Sequence, residues 1–191
     1  MMLEQLFLKY LALCEQSRHG YVNSLNTAHV DWQSKLTKIM DPIPELLQVL
    51  YRTCQGTYRT IEDQTRMDFV PGYRLIHIDE LYETCILLNE MITKQECQAC
   101  NIAHIIPFLS DNASNYICYV KQKDAQECIY DYETEDGLQL MHTSIQSFFE
   151  TLIAFYEQHV YFLDEDGYLD YDVEREGIVG AKYNPDVAYW R

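Results

Sequence analysis

The chain is short of several things. Its 191 residues include seven glycines and five prolines, and they form no G-x-S-x-G elbow and no glycine-rich loop able to cradle a phosphate. Cationic side chains are scarce: 14 Lys and Arg stand against 30 Asp and Glu, a formal charge of −16. Such a surface repels phosphates rather than neutralising them, which argues against direct nucleic-acid binding. No window approaches the ~18 continuous apolar residues of a membrane span. The six histidines (His19, His29, His77, His104, His142 and His159) are dispersed, without the H-x-x-x-H or H-E-x-x-H spacing that brings two imidazoles to one metal. "MMLEQLFLKYLALCEQSRHG" carries Glu4 and Lys9 where a secretory signal would be apolar, and no small-residue cleavage site follows. It reads as an amphipathic helix, and the expected location is cytoplasmic.

Cysteine is present but unpatterned. Seven residues, an odd number, with no secretory signal suggest reduced thiols. Cys14, Cys54, Cys85 and Cys118 sit in apolar runs and read as small core residues. "CQAC" (Cys97 and Cys100, with His104 after it) supplies two of the four ligands a structural zinc wants. Two ordinary thiols at a polar helix end or loop are the simpler reading. No metal, cofactor or catalytic residue is therefore expected.

What is there suits one globular domain, since 48 % of the residues are hydrophobic. Leu3, Leu6, Phe7, Tyr10, Leu11 and Cys14 share one helix face, and that helix ends near Gly20. Residues 21–31 look like a polar connection. "IPELLQVLYRTCQG" predicts a helix with Pro44 in its first turn and Gly56 as its left-handed stop. Residues 57–68 read as a loop, Pro71–Gly72 as a turn and 73–77 as a short strand; Asp79 is placed to cap a helix carrying Leu81, Cys85, Leu88 and Ile92. Strands are expected over 105–109, 116–120, 127–132 and 138–142, with "EDG" turning between the last two. Ser144 can cap a helix whose apolar face runs from Ile145 to a packed His159. The order points to α+β with a central, largely antiparallel sheet flanked by helices. The domain spans 1–191, with an N-terminal helix over 1–20, a core over 32–163 and an acidic C-terminal extension over 164–191.

Three local patterns invite chemistry. "NAS" at 112–114 matches a glycosylation sequon, which matters only in a secretory compartment. "DEDGYLDYD" at 164–172 suggests calcium, but with Gly167 at loop position six the two ends fall on Phe162 and Val173, where an EF-hand needs oxygen ligands. Its "DG" could instead close a small hairpin. Sixteen tyrosines are many, and Tyr130, Tyr132, Tyr168 and Tyr171 sit among acids. They suit an interface and equally the two faces of a sheet.

Four stretches in order then resemble one family, the SUKH superfamily, in particular its fungal cell-wall-assembly regulators and their bacterial relatives. They are "IPELLQVLYRTCQGT", "IIPFLSDNASNYICYV", "SIQSFFETLIAFYEQHVYFLDEDGYLDYD" and "KYNPDVAYW". The family's turn usually carries glycines where this chain has Asn112, Ala113 and Ser114, and its following strand often ends in Leu-Asp where this chain has Tyr119 and Val120; Asp111 and Asn115 still fit. The resemblance implies an α+β fold and a non-catalytic, protein-binding role. Its bacterial members are associated with immunity to polymorphic toxins, nucleases and deaminases among them, and its fungal members act as scaffolds. The partner expected here is a cognate toxin domain with a basic surface, or alternatively an endogenous protein bound by a regulatory scaffold. No nucleic-acid, membrane or small-molecule partner is expected. The surface expected to bind is acidic and tyrosine-rich: Asp131, Glu133, Asp164, Glu165, Asp166, Asp170 and Asp172, with Tyr168 and Tyr171.

Overall fold

The computed structural model describes residues 2–26 and 31–191. Helix α1 (Leu3–Ser17) buries Leu6, Phe7, Tyr10, Leu11 and Cys14, the stripe its spacing predicts. The chain then turns at Gly20, whose φ is 84°. Residues 21–24 are not a polar connection but a turn of helix, α2 (Tyr21–Ser24), with Tyr21 fully buried; residues 27–30 of the expected connection lie outside the described residues. The cause is Arg18, which lies 4.0 Å over the Tyr21 ring and donates to the Asp68 carbonyl at 2.7 Å. A buried guanidinium has to be held by such groups.

Helices α3 (Trp32–Thr37) and α4 (Glu45–Thr53) follow. Pro44 sits at the N-cap of α4, where its lack of an N–H costs no intrahelical bond. Gly56 has φ 85°, but the helix has already ended at Thr53. A Cβ on Gly56 would stand 2.5 Å from the Ile76 carbonyl oxygen, so close backbone approach requires this glycine.

A six-stranded sheet forms the centre. Its strands are β1 (Asp68–Val70), β2 (Tyr73–Leu75), β3 (Ile102–Ser110), β4 (Tyr116–Gln122), β5 (Glu127–Glu133) and β6 (Gly137–His142). They lie in sequence order, each antiparallel to the next. This is the α+β architecture expected from the order of elements. Strand β1 begins where a loop was expected, because Pro71–Gly72, with Gly72 at φ 77°, folds it back onto β2. Residues 116–120 and 128–132 are buried without a break, so both faces of the middle strands are covered.

Helices α5 (Leu81–Met91) and α6 (Lys94–Ala99) fill the β2–β3 crossover, and α5 lies against β3. Asp79 does not cap α5. Glu80 holds the N-cap position without a side-chain bond, and Asp79 instead accepts from the Tyr58 hydroxyl at 2.9 Å and pairs with Lys35. Cys97 lies on α6 and Cys100 just after it, both half-buried and free.

Helix α7 (Ile145–Glu157) starts as expected, with Ser144 Oγ accepting from the Ser147 N–H at 3.0 Å. It lies across β5 and β6, and α1 packs on its outer side. Phe7 meets Phe149 at 5.6 Å between ring centres, and Tyr10 meets Tyr156 at 5.8 Å. His159 is not on the packed face. The helix has already ended, and His159 is exposed in a left-handed conformation (φ 54°).

Two strands, β7 (Tyr161–Leu163) and β8 (Leu169–Tyr171), form a separate hairpin. Helix α8 (Val173–Tyr183) and a final 3-10 turn (Ala188–Trp190) return to the body of the fold. The Trp190 ring covers Gly180 so closely that any Cβ there would collide with it, and Trp190 Nε1 donates to the Met141 carbonyl at 2.8 Å. Residues 164–191 thus contribute Leu169, Val179, Val187 and Trp190 to the core cluster.

Candidate functional site

The hairpin sits where the chain expects it. Asp164 Oδ1 accepts from the backbone N–H of Asp166 and of Tyr168 at 2.9 and 2.8 Å, and Gly167 takes φ 87°. A short carboxylate bonding to its own backbone is how such a turn is made. Glu165, Asp166, Tyr168 and Asp170 are exposed; Asp164, Tyr171 and Asp172 are half-buried. Asp172 is committed to the N-cap of α8, accepting from the Arg175 N–H at 3.0 Å. The hairpin also exposes Phe162 (43 %), Leu163 (38 %) and Tyr168 (44 %), and α8 exposes Val173 (70 %) and Ile178 (65 %). The hairpin and α8 therefore expose both acids and large apolar side chains; Phe162 pairs across the hairpin with Asp170.

Asp131 is not part of that surface. It is 4 % exposed, on β5. Both faces of β5 are covered, so either parity is buried; Asp131 shares its face with Ile129, and its cross-strand neighbour on β4 is Ile117. Its Oδ2 accepts from the Tyr189 hydroxyl at 3.1 Å, while its Oδ1 has no partner. Tyr130 and Tyr132 beside it are buried too, and Glu133 is half-buried at the strand end.

Asp131 borders a small cavity of about 80 Å³. Tyr73 of the β1–β2 hairpin, Tyr161 and Tyr171 of the outer hairpin, Glu176 of α8 and Tyr189 of the C-terminal turn line it, over an apolar floor of Ile117, Met141, Phe148 and Leu152. Eight separate stretches of chain meet there. Burial raises Asp131 to about 6, with the carboxylates of Glu133 and Asp111 adding to it and the Tyr189 hydroxyl opposing. Burial alone raises Glu176 to about 7. Tyr189 is pushed up by burial and by the Asp131 charge, and Tyr73 by burial and Asp131.

Wider concavities exist. One of about 400 Å³ lies between Ile39, Met40, Tyr82, Ile86 and His104, and one of about 660 Å³ beside Lys35, Ile78 and Tyr82. Neither is bordered by a buried side-chain polar atom left without a partner. Among the described residues, no three His, Cys, Asp or Glu side chains are grouped to hold a metal, and no helix is long and apolar enough to cross a membrane.

The 111–115 turn is held internally. Asp111 Oδ1 accepts from the N–H of Ala113 and of Asn115, and Asn115 Oδ1 accepts from the Thr134 N–H at 3.1 Å. Ser114 takes the left-handed φ of 68° that a glycine would take more easily. No protein-family model matches this chain, and no curated protein matches it in sequence.

Glu176 and Tyr189 were not among the residues singled out from sequence. Glu176 does carry a signal: it stands three and four residues before Val179 and Gly180, the buried face of α8. Tyr189, next to the end of the described chain, carries none.

Proposed function

We propose that the protein is a non-catalytic, cytoplasmic binding module for a basic protein partner, of the kind that binds and neutralises a cognate polymorphic toxin. The observation that carries this is the outer hairpin and the start of α8, where Glu165, Asp166 and Asp170 are interleaved with exposed Phe162, Leu163, Tyr168 and Val173. Apolar side chains left in water among charges are what a protein interface uses. The carboxylates add steering of a cationic partner on a chain whose formal charge is −16. The resemblance of four sequence stretches to SUKH proteins supports the same reading.

The test is association with the polypeptide encoded beside it, measured across a salt series. Replacing Glu165, Asp166 and Asp170 together by Lys is expected to weaken binding at least tenfold and to flatten its salt dependence. Affinity indifferent to both salt and charge reversal would overturn the reading.

A further inference from the structure

A buried carboxylate oxygen is rarely left alone, because its desolvation is not compensated. Asp131, 4 % exposed, has its Oδ1 without a partner and lines an 80 Å³ cavity. The other polar walls are a second carboxyl, Glu176, and the aromatic side chains of Tyr73, Tyr171 and Tyr189. Every one of these can accept a hydrogen bond or present a π-face. Nothing in the set is a cation. Such a set fits a positive group and no anion.

Size and acceptor geometry narrow the cation. One oxygen of Asp131 already accepts from Tyr189, and a cavity of about 80 Å³ is small for the planar guanidinium that an arginine fork would bring. A primary ammonium, compact and with three donors, suits one free Asp131 oxygen, the Glu176 carboxyl and a ring face. We propose that this cavity receives the ammonium group of a single lysine side chain from the partner protein. This rests on the binding-module reading and adds the chemistry of its anchor: the acidic hairpin whose strands supply Tyr161 and Tyr171 to the cavity is the surface that meets the partner. An aliphatic stem crossing apolar walls to a buried charge pair is the kind of contact that dominates an interface.

Both carboxyls bind protons in competition with the ammonium. Asp131 is faced by Glu133 on its own strand, Asp111 from the β3–β4 turn, Tyr73 of β2, Cys118 of β4 and Tyr189. Glu176 is faced by Tyr161, Tyr171 and Tyr189. Lysine binding is therefore stronger at pH 8 than at pH 5.5, and it releases protons near pH 6.5.

The test titrates the full chain with n-butylammonium and, separately, with a blocked lysine-containing peptide, following the side-chain carboxyl carbons of Asp131 and Glu176 by NMR and proton release by calorimetry. Expected are saturable shifts at both carboxyls, affinity at least tenfold higher at pH 8 than at pH 5.5, and at least tenfold loss in Asp131→Asn and in Glu176→Gln. Glu176→Gln, on a half-exposed helix position, keeps the test available should Asp131→Asn not fold. No saturable shift, or equal binding by both variants, would overturn the proposal. So would a peptide that binds tenfold more weakly than n-butylammonium, which assigns the cavity to a free amine. No protein partner enters this titration. Its failure leaves the salt-series result standing, and a flat salt series with intact amine binding overturns the hairpin reading alone.

Discussion

The Asp131 carboxyl has one oxygen on Tyr189 and one on nothing, inside a sheet whose neighbouring side chains are Tyr130 and Tyr132. Its folded value of about 6 stands above an unfolded value of 3.8. The folded state therefore holds a proton that the unfolded state has lost, so the stability this group contributes at low pH disappears as pH rises through about 6. Asparagine in its place has no charge to desolvate. Asp131→Asn is expected to leave stability near pH 3 almost unchanged and to raise it at pH 8 by about 3 kcal/mol, since each tenfold change in proton affinity is worth about 1.4 kcal/mol; urea midpoints at the two pH values check this. His142 runs the other way. It is fully buried, its Nδ1 is paired with Asn184 Oδ1 at 3.0 Å, and burial lowers it from 6.5 to about 3. It must take up a proton to unfold in acid, so its contribution is present above 6.5 and is lost as pH falls toward 3.

At the scale of elements, α8 and the C-terminal turn decide whether the cavity exists. Glu176 comes from one, Tyr189 from the other, and they are locked by the Trp190 ring over Gly180. Asn184 adds a second tie, donating to Thr151 Oγ1 and to the Gly180 carbonyl, each at 3.0 Å. Alanine is worth about 1 kcal/mol more than glycine within a helix. Gly180→Ala is nevertheless expected to destabilise by about 2 kcal/mol, because the Cβ drives out a large packed ring. A lower urea midpoint and a red-shifted tryptophan emission are the readouts; an increase in stability would show that the ring yields easily. Helices α1 and α7 were legible in sequence because their apolar residues repeat at the helical period, and the four long strands because β-rich apolar runs are bounded by turn residues. Strand β1 and helix α2 were not. Three or four residues hold no period, and a Pro-Gly turn and the Arg18–Tyr21 contact decide them.

At the scale of the molecule, 30 carboxylates against 14 cations repel one another in the compact state. Screening relieves this, since the Debye length falls from roughly 30 Å at 0.01 M to roughly 8 Å at 0.15 M salt. Thermal unfolding is expected to shift upward by about 3 °C over that range, which corresponds to less than about 1 kcal/mol for a chain of this length. A calorimetric scan at each salt concentration reads it; a fall with salt would mean that ion pairs such as Lys9–Glu157, Arg52–Glu4 and Arg74–Glu80 outweigh the repulsion. On the proposed function the same salt would weaken association with a basic partner, so the two measurements are expected to move in opposite directions.

The sequence by itself determined the layer architecture, the acidic hairpin at 164–172 and the scarcity of cations, because periodicity, turn chemistry and charge are local or additive properties of a chain. It also marked the 111–115 turn, where Ser114 takes a left-handed φ of 68°. Only the tertiary structure decided that Asp131 faces inward rather than outward, that Glu176 and Tyr189 stand beside it, and that His159 is exposed while His142 is buried. Which of a strand's two faces meets a helix, and which distant segment closes over it, depends on contacts between residues as far apart as Asp131 and Tyr189. No local pattern encodes a pairing of that span.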